Sequence, residues 1–122
     1  MTPRNKIMVC DDDESIADVI QVVLEMSDME VEVECDSSKL YSRIQIMNPK
    51  VLLIDLWMPK MSGDKVIKQL RSIEEFKNLY IVCISASMDG MHVAMEAGAN
   101  AFLPKPFNMD DIVNAVDKGI AA

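Results

Sequence analysis

The sequence predicts an α/β fold in which a doubly wound, five-stranded parallel sheet carries helices on both faces. Three observations predict it. Continuous apolar runs of strand length recur along the chain, each is followed by a segment of helical periodicity, and the connections are short. Such alternation joins parallel strands through crossover helices, which then cover the sheet on both sides.

Lys6-Ile7-Met8-Val9-Cys10 is the first run, continuous as in a strand buried on both faces, and it stops at Asp11-Asp12-Asp13-Glu14. Ile16, Val19, Ile20, Val23 and Leu24 then form one apolar stripe of a helix. Asp13 is its expected cap, and acidic residues in the first turn suit the positive end of the helix dipole. Val31, Val33 and Cys35 alternate with Glu32 and Glu34, the pattern of a half-exposed strand. Ser37 or Ser38 is expected to cap a helix carrying Leu40, Ile44 and Met47, which ends before Asn48-Pro49.

Val51-Leu52-Leu53-Ile54 is the strongest buried-strand signal, and Asp55 ends it. A loop over Trp57-Met58-Pro59-Lys60-Met61-Ser62-Gly63 leads to a helix marked by Val66, Ile67 and Leu70. Tyr80-Ile81-Val82-Cys83-Ile84 is the fourth strand, with Ser85 at its end. A helix around Met91 to Ala97 closes at Gly98, a C-cap. Ala101-Phe102-Leu103 is the last strand, and Pro104 and Pro106 beside it cannot donate ladder hydrogen bonds, so it belongs at a sheet edge. Ile112, Val113, Val116 and Ile120 mark the final helix, with Asn108 as its cap.

The 122 residues suit one domain spanning 1–122, with half the residues hydrophobic and 26% charged. Twelve basic against twenty acidic side chains leave a net charge of −8. That balance argues against nucleic acid, whose phosphates need a basic face, and favours holding a metal cation. No apolar run approaches the ~20 residues that span a bilayer, so no membrane association is expected. Met1 to Lys6 lacks a signal peptide's apolar stretch, and the expectation is a cytoplasmic protein. Cys10, Cys35 and Cys83 include no C-x-x-C pair and read as buried, reduced thiols.

In parallel sheets, ligands bind at the carboxyl ends of the strands. Asp11, Asp12 and Asp13 follow the first strand and Asp55 the third, while Ser85 follows the fourth and Lys105 the fifth. Carboxylates crowded there repel one another, and one lysine cannot neutralise them. A hard divalent cation can, and an incomplete shell of protein oxygens suits Mg²⁺. Carboxylates, Mg²⁺, a hydroxyl and an ammonium together point to phosphoryl chemistry, with Asp55 as nucleophile and Asp11 and Asp12 as metal ligands.

Taken together these residues resemble the receiver domains of two-component response regulators. The resemblance rests on the acidic pair in Val9-Cys10-Asp11-Asp12-Asp13 and on Ile54-Asp55-Leu56-Trp57-Met58-Pro59-Lys60-Met61-Ser62-Gly63. It extends through Ile84-Ser85-Ala86 and Ala97-Gly98-Ala99 to Phe102-Leu103-Pro104-Lys105-Pro106-Phe107. It implies a flavodoxin-like sheet of order 2-1-3-4-5. It also implies that Asp55 accepts phosphoryl from a histidine kinase, a phosphotransfer protein or a small phosphodonor, without turnover of a separate substrate. Asp12 would ligate Mg²⁺ directly, Asp11 mainly through water, and the Trp57 carbonyl would complete the set with Asp55. Lys105 would pair with the phosphoryl group, the Ser85 hydroxyl would swing in to bond it, and Phe102 would be the switch aromatic. The Lys105–Pro106 bond is the family's usual cis peptide.

The resemblance further implies a stand-alone receiver, a monomer or weak phosphorylation-dependent dimer, acting on a downstream protein target. Ser85 replaces the commoner threonine and Phe102 the more familiar tyrosine. The segment from Ser85 to Lys105 is a little shorter than the family norm, on the face that receivers present to partners. Trp57 is large for its position beside the acceptor and is expected to shield an acyl phosphate from water.

Competing readings account for less. A haloacid-dehalogenase-type phosphatase would use Asp11 as nucleophile within Asp11-Asp12-Asp13-Glu14-Ser15, with Asp110-Asp111 completing the set, but leaves Asp55 unexplained. An EF-hand loop from Asp11 fails at Ile16 and Val22. A receiver-like interaction module without phosphorylation has no support while acceptor, acidic pair, hydroxyl and lysine are all present. Dinucleotide and P-loop glycine patterns are absent. His92 is expected to face solvent. Met88, Met91 and Met95 fit either core packing or an adaptable docking patch.

Overall fold

Parallel pairing brings four apolar runs and one alternating strand into one sheet of order β2-β1-β3-β4-β5. The computed structural model describes residues 4–87 and 89–122. Its strands are β1 (Lys6–Cys10), β2 (Glu30–Glu34), β3 (Val51–Asp55), β4 (Tyr80–Ser85) and β5 (Ala101–Pro104). Its helices are α1 (Glu14–Met26), α2 (Leu40–Met47), α3 (Gly63–Arg71), α4 (Asp89–Ala97) and α5 (Met109–Ala121). No helix among the described residues is long and apolar enough to cross a membrane.

Side chains alternate across the pleat, so β1, β3, β4 and β5 feed two cores, while β2 feeds one through Val31 and Val33. Met8, Cys10, Leu52 and Ile54 pack with Ile44 of α2, Ile67 of α3 and Ala94 of α4. Ile7, Val9, Val51 and Leu53 pack with Ile20 of α1 and Val116 of α5 on the opposite face. β3 is buried along its whole length, which is why its sequence runs apolar up to Asp55. Register sets the heights of the strand ends: Cys10 lies opposite Ile54, Asp55 opposite Ile84, and Ser85 opposite Pro104.

Local polar chemistry fixes where helices begin and end. Asp13 accepts hydrogen bonds from the Ser15 and Ile16 amides and caps α1. Asn108 and Asp111 bond each other's backbone amides in a capping box that starts α5. Gly98 ends α4 with φ +116°, a conformation that side chains resist. Arg71 ties several segments together. Its guanidinium donates to the carbonyls of Gly98, Phe76 and Leu79 and to Asn100 Oδ1, which also accepts from the Ile81 amide.

Three expectations need correction, and one element was not expected at all. Asp36, not Ser37 or Ser38, starts the second helical segment: its carboxylate accepts from the Ser38 amide at 2.9 Å and caps a 3-10 turn that runs into α2. A carboxylate on extended backbone one residue earlier outcompetes the hydroxyls. Cys35 lies past the end of β2 and is half-buried, whereas Cys10 and Cys83 are buried and burial pushes their thiols up to about 12. Val19 is 55% exposed, because Ala17, Ile20, Val23 and Leu24 already fill the α1 contact. An unanticipated 3-10 turn at Glu74–Phe76 buries Phe76 edge-on to Tyr41, with ring centres 5.7 Å apart.

Both sheet edges carry blunting features. Pro104 lies on β5, and on β2 Glu32 and Glu34 pair with Arg43 at 2.7 and 3.0 Å. The β3–α3 loop closes tightly: the Gly63 amide donates to the Leu56 carbonyl at 2.7 Å. A Cβ at Gly63 would run into the Asp55 carbonyl and lie 2.9 Å from the Leu56 Cα. Gly63→Ala is therefore expected to destabilise the domain by roughly 2 kcal/mol despite alanine's better helix propensity. Urea unfolding tests this, and an unchanged midpoint would contradict it.

Candidate functional site

The carboxyl ends of β1, β3, β4 and β5 place Asp11, Asp55, Ser85 and Lys105 along one edge of the sheet. Asp11 follows the last residue of β1 and is 1% exposed. Its Oδ1 accepts from the Asp13 amide at 2.9 Å, which shapes the turn into α1. Its Oδ2 is buried without a hydrogen-bond partner. Asp55, 6% exposed, ends β3 on the neighbouring strand. Asp12 is exposed at the mouth, and oxygens of Asp11, Asp12 and Asp55 all lie within 4.8 Å of one another.

Lys105 is the cation that meets this group. Its Nζ lies 3.4 Å from Asp55 Oδ1 and 3.6 Å from Asp11 Oδ2. The Lys105 amide donates to the Ser85 carbonyl at 2.9 Å, so the end of β5 is held beside the end of β4, and the Lys105–Pro106 peptide is cis. One ammonium does not offset this much buried charge. Burial, then the Asp11 charge, pushes Asp55 up to about 6, with Lys105 acting in the opposite direction. Burial also raises Asp11, against the pull of the Asp13 amide and Lys105.

The donor set is all oxygen, its charge is only partly compensated by Lys105, and one buried carboxylate oxygen has no hydrogen-bond partner. These features fit a hard divalent cation of the Mg²⁺ kind, which takes carboxylate oxygens and retains waters. Glu14 to Met26 form helix α1, so the acidic run does not continue as an EF-hand loop. Asp110 and Asp111 lie in the first turn of α5, with Asp111 in its capping box, so the pair that the phosphatase reading needs opens a helix instead of ending a strand.

Ser85 is buried, and its Oγ accepts from the Ser87 amide at 3.1 Å, turned to its own loop. Phe102 is half-buried against the core on the α2–α4 face. Trp57 is 56% exposed, while its neighbour Met58 is buried, its sulfur 3.7 Å from Cys10 Sγ. His92 is exposed on α4 with Nε2 3.3 Å from Glu96. Met91 and Met95 are exposed, which favours the surface-patch reading over core packing, and Met88 lies outside the described residues. Sequence reasoning missed the packing of Gly90 against Ser85, since nothing in a lone glycine signals a contact made by tertiary placement.

A family model described as "Response regulator receiver domain" matches residues 7–117. Among curated relatives, the DNA-binding response regulator MtrA of Mycolicibacterium smegmatis is 32% identical over 94% of this chain and 50% of its own length. The transcriptional regulatory protein KdpE of Staphylococcus aureus is 30% identical over 89% of this chain and 47% of its own. The chain thus spans about half the length of these curated relatives. A putative response regulator from Chloroflexus aurantiacus superposes with a TM-score of 0.94 at 25% identity, over 98% of this chain and 100% of that one. The chemotaxis response regulator CheY4 of Vibrio cholerae shares the fold, with a TM-score of 0.90 at 24% identity over 96% and 99% of the two chains.

The charge shortage has a measurable signature. Asp55 titrates higher in the fold than unfolded, so the stability it contributes is complete below about pH 4 and is lost as pH rises through about 6. In metal-free protein, Asp55→Asn is expected to stabilise the fold by roughly 2 kcal/mol at pH 7.5 and by little at pH 4. Urea unfolding in the presence of a chelator reads this. A gain independent of pH would show that Asp55 bears no such electrostatic cost.

Proposed function

We propose that this chain, which belongs to the response regulator receiver domain family, accepts a phosphoryl group on Asp55 and hands the resulting change of surface to a protein partner. The observation that carries the reading is the convergence of Asp11, Asp12, Asp55 and Lys105 at the strand ends. An Asp55 carboxylate oxygen attacks the phosphorus of a phosphohistidine. The P–N bond breaks as the P–O bond forms, and the product is an acyl phosphate. Water later attacks the phosphorus, the P–O bond to Asp55 breaks, and inorganic phosphate leaves with the carboxylate restored, so the domain does chemistry only on itself.

Asp11, Asp12, Asp55 and the Trp57 carbonyl would hold Mg²⁺, which supplies positive charge against the phosphoryl oxygens when bound. Asp11 acts mainly through water and Asp12 directly. Lys105 stands within reach of Asp55 and offsets charge on the phosphoryl oxygens. The Ser85 hydroxyl leaves the Ser87 amide for a phosphoryl oxygen, and Phe102 turns inward with that loop. Phosphorylation thereby shifts the population between two arrangements of the surface. Three free thiols suit a reducing cytoplasm, and the phosphodonor is a histidine kinase or phosphotransfer protein.

The net charge of −8 supports a protein partner over nucleic acid for this domain. The Chloroflexus aurantiacus response regulator, covered over its whole solved length, supports a stand-alone module. The DNA-binding relatives, about twice as long, support a receiver within a longer regulator, and the intact gene product decides between them.

Incubation with acetyl phosphate and Mg²⁺, followed by intact mass, is expected to show one phosphoryl adduct in wild type and none in Asp55→Asn. An adduct that survives the substitution would move the acceptor elsewhere, with Asp11 the first alternative. Trp57→Ala is expected to shorten the acyl-phosphate lifetime several-fold by opening the acceptor to water. An unchanged hydrolysis rate would leave the exposed indole without that role.

A further inference from the structure

We infer that Gly90 is a positioning residue for the Ser85 hydroxyl, and that its missing side chain lets the first turn of α4 rest directly on that hydroxyl in the unphosphorylated state. The inference rests on the reading that Asp55 accepts phosphoryl. Gly90 is buried in the first turn of α4, its amide donating to the Ser87 carbonyl at 3.1 Å. A Cβ built there would lie 2.9 Å from Ser85 Oγ, 3.1 Å from Ser85 Cβ and 2.9 Å from Leu56 Cδ2. The helix therefore lies so close to the switching hydroxyl and to the residue that follows the acceptor that even a methyl group would crowd them.

The same hydroxyl accepts the Ser87 amide at 3.1 Å, and no hydrogen bond joins it to Asp55 among the described residues. It sits in a socket made by its own loop and by Gly90. To reach a phosphoryl oxygen on Asp55 it must leave that socket, and the first turn of α4 loses the atom it rests on. Rotation of one side chain is thus felt by α4 through direct contact, without relay through Phe102. Of the three contacts, those with Leu56 Cδ2 and Ser85 Cβ persist whichever way the hydroxyl points, and only the one with Ser85 Oγ distinguishes the two arrangements. A methyl group at position 90 crowds Ser85 Oγ in its resting position and is relieved when the hydroxyl turns away, so it biases the domain toward the phosphoryl-bound arrangement.

Beryllofluoride with Mg²⁺, a non-covalent stand-in for phosphoryl on a carboxylate, tests this by calorimetric titration of wild type, Gly90→Ala, Ser85→Ala and the double variant. Gly90→Ala is expected to bind beryllofluoride roughly fivefold more tightly than wild type, while its affinity for Mg²⁺ alone is unchanged. In the Ser85→Ala background the same substitution is expected to give little change, because the crowded atom is gone; helix propensity or general packing would act equally in both backgrounds. An equal effect in the two backgrounds, or weaker binding in Gly90→Ala, overturns the inference.

Spectra of the unmodified chain provide a measurement independent of the fold of Gly90→Ala. The Gly90 amide resonance is expected to move on beryllofluoride binding in wild type and to stay in place in Ser85→Ala; movement in both overturns the contact as the route. Failure of wild type to bind beryllofluoride in Mg²⁺ overturns the phosphoacceptor reading itself, and this inference with it. Binding by wild type without the coupling overturns this inference alone.

Discussion

Two carboxylates, Asp11 and Asp55, share one lysine at the buried ends of neighbouring strands, and much of the molecule holds that shortage of positive charge in place. Moving either acid outward by a few ångströms would let water screen it. The fold prevents this from three sides. The register of β1 and β3 fixes the heights of the acids, the Asp13 amide anchors Asp11, and the return of the chain to Gly63 pins the backbone around Leu56. Lys105 arrives from the far edge of the sheet and is positioned by its amide bond to the Ser85 carbonyl. Burial, then the Asp11 charge, raises Asp55, and the resulting field favours whatever positive charge enters the mouth.

The scaffold beneath is stiffened by apolar packing on both faces and, away from the site, by Arg71. That guanidinium finds its partners among backbone carbonyls and Asn100 rather than carboxylates, so it joins α3, the approach to β4 and the turn after α4 without adding to the charge at the mouth. The end of α4 is thereby fixed to its neighbours. Its beginning packs on Ser85, the group proposed to move. One helix thus has a firmly tied end and an end packed closely on Ser85 and Leu56, a geometry suited to converting a rotamer change into a tilt.

Much of this was legible in the sequence for a physical reason. Parallel strands bury both faces, so they write themselves as unbroken apolar runs, and the polar residue that ends each run marks the ligand edge. Asp11, Asp55, Ser85 and Lys105 could be read in that way, as could the edge position of β5 from its prolines. Caps were readable where one candidate stood alone, as at Asp13 and Asn108, and misread at Asp36, where serines compete in the next two positions. Val19 and Cys35 show the limit of periodicity, which gives a stripe's direction but not its width or the residue where a strand stops. The depth difference between Asp11 and Asp12, the Arg71 clamp and the Gly90 contact were invisible. Each depends on distances between segments far apart in the chain.

The two outer strands carry one further consequence. β5 has Pro104 on it and Pro106 just beyond, which have no amide hydrogens to offer, and β2 lines its edge with glutamates held by Arg43. Neither margin is suited to recruiting an extended peptide or a second copy by continuing the sheet. On the proposed function, recognition falls to helix faces and loop side chains, where a change of rotamer or helix tilt alters what is displayed. A signal written at the strand ends would then meet its reader as a pattern of side chains, and backbone hydrogen bonding, which would be insensitive to the state of the proposed switch, would be kept out of the exchange.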